Sequence, residues 1–263
     1  MKKTVKDVID FLSNGNDKNE QTVDTLKFGD ENEFITGIAL AFMPTYAVIE
    51  RAAQLQANLL IVHEGIFYQH QDPHVNEQLP IYKEKMALIE QTGISIYRLH
   101  DYIHQAPIDG IMEGLIKELE WEDYLESHQR VYSIFSLPHI SLKKIIDELK
   151  SKLHIQTMRY IGHLDKEYKR IAIMVGYRGG GEITIPAMIE ENIDVVIYGE
   201  GPEWETPEFI RDANQLGYEK AAIILGHLDS EEAGMKFLSD SIKKEFPDIP
   251  VHFIPSKNVI DYY

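Results

Sequence analysis

The 263 residues predict an α/β protein of two related α/β lobes, each with a mixed, largely parallel sheet, and a metal site in the cleft between them. Three observations carry that expectation. Short apolar runs bounded by glycine or proline alternate with helical patterns along the chain, as in parallel-sheet proteins. The order strand, helix, strand, Glu-Gly occurs twice, over residues 37–65 and 170–201. Three of the apolar runs end in metal-binding side chains: His63 and Glu64, His100 and His104, and His227 and Glu231.

In chain order, Val5, Val8, Ile9 and Leu12 share one face of a helix over residues 5–12, and a polar segment follows to about Asp24. Residues 37–42 read as a buried strand, 44–55 as a helix with Pro44 in its first turn, and 59–62 as a second strand, together a βαβ unit. His63, Glu64 and Gly65 close that strand, and the glycine permits a positive-φ exit. A helix over 80–92 stops at Gly93, a strand covers 94–98, and His100, Asp101 and His104 follow. One helical turn after Leu99 would put His100 and His104 on one face, while Asp101 reads as a helix cap. Residues 108–119 form a helix, 131–137 a strand, 142–153 a helix capped by Ser141, and 157–161 a further strand. Next come a strand over 170–175, a glycine-rich loop over 176–181, a helix over 183–191 and a strand over 194–198 that runs into Gly199-Glu200-Gly201. A strand over 221–225 and a helix over 231–246, capped by Ser230, complete the chain. The lobe boundary falls between residues 119 and 131. This gives an N-terminal lobe, 1–125, with His63, Glu64, His100 and His104, and a C-terminal lobe, 126–263, with Glu200, His227 and Glu231.

A formal net charge of −17 argues against a nonspecific nucleic-acid or anionic-membrane surface. The chain has no cysteine, which excludes disulfides and thiolate metal sites; a metal must be held by His, Asp, Glu, backbone or water. No stretch approaches the roughly 20 apolar residues of a membrane span. The basic first six residues are not followed by the apolar run of a secretory signal, so a cytoplasmic protein is expected.

A lone histidine after a strand is more often structural than a ligand, and it is the coincidence of three such exits that points to metal. About five to seven N and O donors, with no sulfur, suit Zn, Fe, Mn or Co. They exceed the three protein ligands of a mononuclear zinc site, which favours two divalent ions per chain activating a water between them. Gly179-Gly180-Gly181 lacks the lysine and hydroxyl of a phosphate loop and reads as a turn, with an anion-binding helix start as the lesser reading. Glu200 is a cleft-lining candidate. His70 and His74 read as an exposed loop, and Arg98, Arg178 and Lys257 are the cations that could meet a nucleotide.

Gly226-His227-Leu228-Asp229-Ser230-Glu231 resembles the Gly-His-x-x-Ser-Glu of the Nif-three-like dinuclear-metal proteins, also labelled GTP cyclohydrolase I type 2 homologues. The resemblance covers nearly the whole chain. His63-Glu64-Gly65 stands where that family has His-His-Pro, His100 to His104 where it has His-x-x-x-Asp, and Tyr198-Gly199-Glu200 where it has Thr-Gly-Glu. The exchanges at 64 and 104 swap one histidine and one carboxylate. The resemblance implies that Glu64, His104 and Glu231 hold one ion and His63, His227 and Glu231 the other. His100 would act as proton donor, as hydrogen-bond partner of a ligand, or as an extra ligand. It further implies a metal-dependent hydrolase with a metal-bound hydroxide as nucleophile, a small-molecule substrate with GTP as the named one, and a ring-shaped homohexamer. Two rivals remain: a non-catalytic metal-binding oligomer serving as regulator, adaptor or metal handler, and a phosphoesterase.

Overall fold

A computed structural model describes residues 2–13, 22–71, 78–256 and 258–260; His74 and Lys257 lie outside the described residues. The chain divides into two compact units, Met1–Gly110 with Met235–Lys257, and Ile111–Gly234 with Asn258–Tyr263. No helix among the described residues is long and apolar enough to cross a membrane.

The first helix, α1 (Val5–Leu12), starts at Thr4, which exchanges side-chain and backbone bonds with Asp7, and it buries Val5, Val8 and Leu12. β1 (Leu26–Phe28) is a short strand. β2 (Ile38–Ala41), α2 (Tyr46–Gln54) and β3 (Leu59–Val62) form the expected βαβ unit, with the Thr45 hydroxyl accepting the Val48 amide at 3.2 Å. α3 (Pro80–Thr92) opens on proline and ends at Gly93, whose φ of +61° is the left-handed turn that glycine adopts without penalty. β4 (Ser95–Arg98) and α4 (Asp101–Gln105) follow.

The second unit is built from α5 (Gly110–Leu119), β5 (Leu125–His128), β6 (Ser133–Ser141), α6 (Leu142–Leu153), β7 (Arg159–Ile161), β8 (Glu167–Met174), α7 (Gly181–Glu190), β9 (Val195–Tyr198), α8 (Thr206–Gln215) and β10 (Ala221–Ile224). α9 (His227–Glu245) comes next; from Met235 the chain belongs to the first unit again and ends its described strands with β11 (Val251–Phe253).

Both sheets are mixed. The first has the order β1-β4-β3-β2-β11, parallel throughout except for β1 at its edge. Every residue of β2, β3 and β4 is buried, which accounts for the unbroken apolar runs of β2 and β3; β4 buries Ser95 and Arg98 along with Ile96 and Tyr97. Ala39, Leu60, Val62 and Ile96 share a core with Ile49 of α2 and Ile89 of α3. The second sheet has the order β5-β6-β8-β9-β10-β7, with β8, β9 and β10 parallel at its centre and the flanking strands antiparallel. Val196, Ala172 and Ile224 pack there with Met188 of α7 and Ile210 of α8.

Some elements differ from the sequence expectation. β1, β5, β11 and α8 are additional. β1 and β5 are short and only partly buried, so they carry no apolar run. β6 continues past residue 137 through Pro138, where the ladder with β8 shifts register, one of the few places a strand tolerates proline. α9 begins at His227, so Ser230 is not its cap. The Ser230 hydroxyl instead donates back to the His227 carbonyl at 2.8 Å, the bond a serine inside a first turn makes.

Candidate metal centre

In the first unit, β3 and β4 are register partners at Val62 and Arg98, so the chain leaves the sheet at two neighbouring points, His63 and Leu99. The amides of His63 and Glu64 both donate to the Phe42 carbonyl, at 3.1 and 3.0 Å, which fixes the turn after β3. His63 is fully buried, with Nδ1 2.9 Å from the Leu99 carbonyl. A carbonyl only accepts, so Nδ1 carries the proton and the lone pair belongs to Nε2.

Beyond β4, α4 is anchored by Asp24. Its buried Oδ1 accepts the amides of His100 (2.7 Å) and Asp101 (2.9 Å), and its Oδ2 accepts that of Tyr102 (2.7 Å). These are the orphan donors of the helix start. Burial pushes the Asp24 carboxyl up and prevails over the three amides, which pull it down. Asp101 is therefore not the cap expected from sequence. It accepts from the Thr22 hydroxyl (2.8 Å) and the Val23 amide (3.1 Å), and it faces His100 Nδ1 at 3.0 Å. Burial raises the Asp101 carboxyl, but the bonds from Thr22, His100 and Val23 outweigh it and hold the group below its ordinary value. His104, one helical turn on, has Nδ1 2.8 Å from Asp109 Oδ2.

The three imidazoles meet. Ring centroids lie 4.6 Å apart for His63 and His100, 5.1 Å for His63 and His104, and 5.1 Å for His100 and His104. One ring nitrogen from each lies within 4.8 Å of the others. Donors held at about 2.1 Å around a zinc-like ion are roughly 3–4 Å apart, a spacing close to that of the set. Burial first, and then the neighbouring His63 and His104, push His100 down to about 4, so it is neutral at pH 7 with its lone pair available. Three imidazoles, each with an oxygen behind Nδ1, form a donor set that fits a divalent first-row ion.

Glu64 stands beside them. Its Oε2 accepts from Arg98 Nη2 at 3.3 Å, and its Oε1 is 3.9 Å from His100 Nε2. Arg98 is fully buried and held by the carbonyls of His63 and His70, so one cation expected to meet a nucleotide faces the protein's own oxygens. His70 is exposed, as expected, with its ring 4.7 Å from that of His100.

In the second unit, His227 and Glu231 lie one turn apart on α9, with Nε2 and Oε2 at 3.1 Å, and His227 Nδ1 is 2.9 Å from Glu200 Oε1. Gly176, at φ +62°, makes this closeness possible. A Cβ there would overlap Glu231 Oε1 and lie 3.3 Å from His227 Nε2. The Gly176 amide donates to Ser230 Oγ at 2.9 Å, and its carbonyl accepts the Glu200 amide at 2.9 Å. Gly179 donates to the Glu200 carbonyl at 3.0 Å. The glycine-rich loop thus lets two strand exits touch and holds Glu200 behind His227. The Gly181 amide at the head of α7 donates to Glu205 Oε2 at 2.7 Å, so the chain's own carboxylate takes that helix start.

His63, Glu64, His100 and His104 are therefore assembled within the first unit, and Glu200, His227 and Glu231 within the second. Asp24, Asp109 and Gly176 were not anticipated. Asp109 lies five residues after His104 and could have been suspected from that spacing; Asp24 leaves no local signal.

Comparison with known proteins agrees with this arrangement of elements. A protein of Clostridium perfringens named GTP cyclohydrolase 1 type 2 homolog is 26% identical over 245 residues, covering 90% of this chain and 88% of its own. The crystal structure of the Staphylococcus aureus hypothetical protein SA1388 superposes with a TM-score of 0.80 at 16% identity, covering 100% of both chains. The Bacillus cereus protein related to NIF3 gives 0.76 at 13% identity, covering 98% of this chain and 97% of its own. At those identities the two structures speak for the fold alone. The model of the family Duf34/NIF3 (NGG1p interacting factor 3) matches residues 3–259, nearly the full length, and the chain belongs to that family.

Proposed function

We propose that this chain is a metal-dependent hydrolase whose histidines and carboxylates hold two divalent ions drawn from Zn, Fe, Mn and Co. The observation that carries the reading is a shared geometry. His63, His100, His104 and His227 each have Nδ1 against an oxygen, of Leu99, Asp101, Asp109 and Glu200 respectively, which leaves Nε2 as the nitrogen to meet an ion. His63 and His104, with His100 joining them and Glu64 beside them, are assigned to one ion, and His227 and Glu231 to the other. His100 is assigned as a ligand rather than a proton donor, because a group at about 4 has no proton to give at pH 7. Divalent ions in such sites supply Lewis acidity and a water of lowered pKa. The chain's own part is to orient four imidazoles before the ions arrive.

The name carried by the Clostridium perfringens relative makes GTP the first substrate to screen, followed by generic phosphate esters. We extend the reading to a cytoplasmic homohexamer. A non-catalytic metal-binding oligomer is the second reading, and it is favoured by Arg98: a buried cation bonded to His63 and His70 carbonyls does not reach a nucleotide phosphate.

Elemental analysis of the whole chain purified without added metal, with light scattering for the particle mass, tests the proposal. About two ions per chain support it. Glu231→Ala and Glu64→Ala are each expected to lose mainly one ion, and the double variant both; loss of both ions in either single variant contradicts the assignment. No metal bound, and none taken up on addition, overturns the reading, whereas bound metal with no hydrolysis of any screened substrate selects the second one.

A further inference from the structure

We propose that Arg98 determines which kind of metal ion the histidine cluster of the first unit accepts, by controlling how much of the Glu64 carboxylate an ion can use. This rests on the reading of that cluster as a metal site.

The Arg98 side chain is fully buried, and a guanidinium stays charged in a protein. Its Nε donates to the His63 carbonyl at 3.1 Å and its Nη1 to the His70 carbonyl, so it joins the two ends of the loop that carries Glu64. Its Nη2 is 3.3 Å from both His70 Nδ1 and Glu64 Oε2. The Gly65 amide also donates to Oε2, at 3.4 Å. Two donors thus engage one carboxylate oxygen, and the other, Oε1, lies 3.9 Å from His100 Nε2. Because the guanidinium is fixed by backbone carbonyls, it holds its position whether or not an ion is present.

Glu64 therefore meets the cluster with one oxygen, and a fixed cation offsets its charge. Hard ions such as Mn2+ draw affinity from anionic oxygen and often from both oxygens of a carboxylate. Zinc-like ions are held well by imidazole, and three imidazoles stand here. With Arg98 in place the cluster prefers the zinc-like class. Arg98 is a positioning residue whose effect passes through Glu64.

The test is a cycle of Arg98→Met, Glu64→Gln and the double variant. Each is prepared as the whole chain, stripped of metal, and titrated with Zn2+ and Mn2+ against a chromophoric chelator. Arg98→Met is expected to shift the ratio of Zn2+ to Mn2+ affinity toward Mn2+ by roughly tenfold, the size of a direct coupling between neighbours. In the Glu64→Gln background the same change is expected to leave the ratio within about twofold. Loosening of the loop alone would weaken both ions and leave the ratio where it was. An unchanged ratio in Arg98→Met, or an equal shift in both backgrounds, overturns the inference while the metal site stands. A wild-type chain that binds neither ion overturns the metal reading and this inference with it. Should Arg98→Met fail to fold, Arg98→Gln carries the same expectation, because it still donates to a backbone carbonyl without the charge.

Discussion

Removing the carboxylate of Asp24 is expected to unfasten α4, and with it two of the three clustered histidines. Asp24 takes three backbone amides at 2.7–2.9 Å and is itself only 5% exposed. Loss of an N-cap costs about 0.5–2 kcal/mol. Each buried amide that water cannot reach adds about 1–3 kcal/mol. Against this, Asp24→Ala relieves the desolvation that raises the native carboxyl. A net local loss of about 3 kcal/mol is expected. Asp24→Asn keeps Oδ1 for His100 and Asp101 but turns a donor toward the Tyr102 amide, so roughly half that loss is expected. A global melt would mix the two units, so the readout is amide hydrogen exchange of a peptide spanning residues 98–105 in the metal-free chain. A 3 kcal/mol loss is about a hundredfold fall in protection. Zn2+ affinity is expected to fall in the same order, alanine below asparagine. Unchanged protection and affinity in Asp24→Ala would refute the argument that this carboxylate builds the site.

Two further expectations follow from single groups. His100 is held near 4 against an ordinary 6.5, so between those values the unfolded chain binds a proton that the folded one refuses, and stability falls as the pH drops from 6.5 to 4. The loss is about 3 kcal/mol at most, and denaturant titrations of the metal-free chain at pH 7 and 4.5 should show a smaller difference in His100→Asn than in wild type. Gly176 and Gly217 both have positive φ, but only at Gly176 would a Cβ meet neighbours within 4 Å. Gly217→Ala is expected to cost about 1 kcal/mol and keep its metal, whereas Gly176→Ala displaces Glu231 and loses ions by elemental analysis.

The strand exits were legible because β3, β4 and β10 are buried along their whole length and their ligands follow within a few residues. The spacing of His100 and His104 gave their common face for the same local reason. What could not be read is what long-range packing decides. Asp24 is 76 residues from the first amide it caps, and Arg98 reaches Glu64 across 34 residues. The proton on the His63 imidazole is fixed by an oxygen outside the ring, the Leu99 carbonyl. Ser230 misled because a serine before an acidic residue looks the same whether it opens a helix or bonds back inside one.

The parallel pairing of β11 with β2 also sets an order of events during synthesis. Ile38 donates to Pro250 at 2.9 Å and Ile254 to Leu40 at 2.8 Å, so one edge of β2 has its partner only after residue 254 has been made. Residues 111–234 carry the whole second sheet and emerge without interruption. Of the two sheets, the one begun first is thus the last that can close. At roughly 5–20 residues per second its open β2 edge waits on the order of ten seconds on the ribosome. A nascent chain stalled before residue 250 therefore holds every strand of the second sheet but leaves one edge of β2 without its partner, the point at which a chaperone has most to protect.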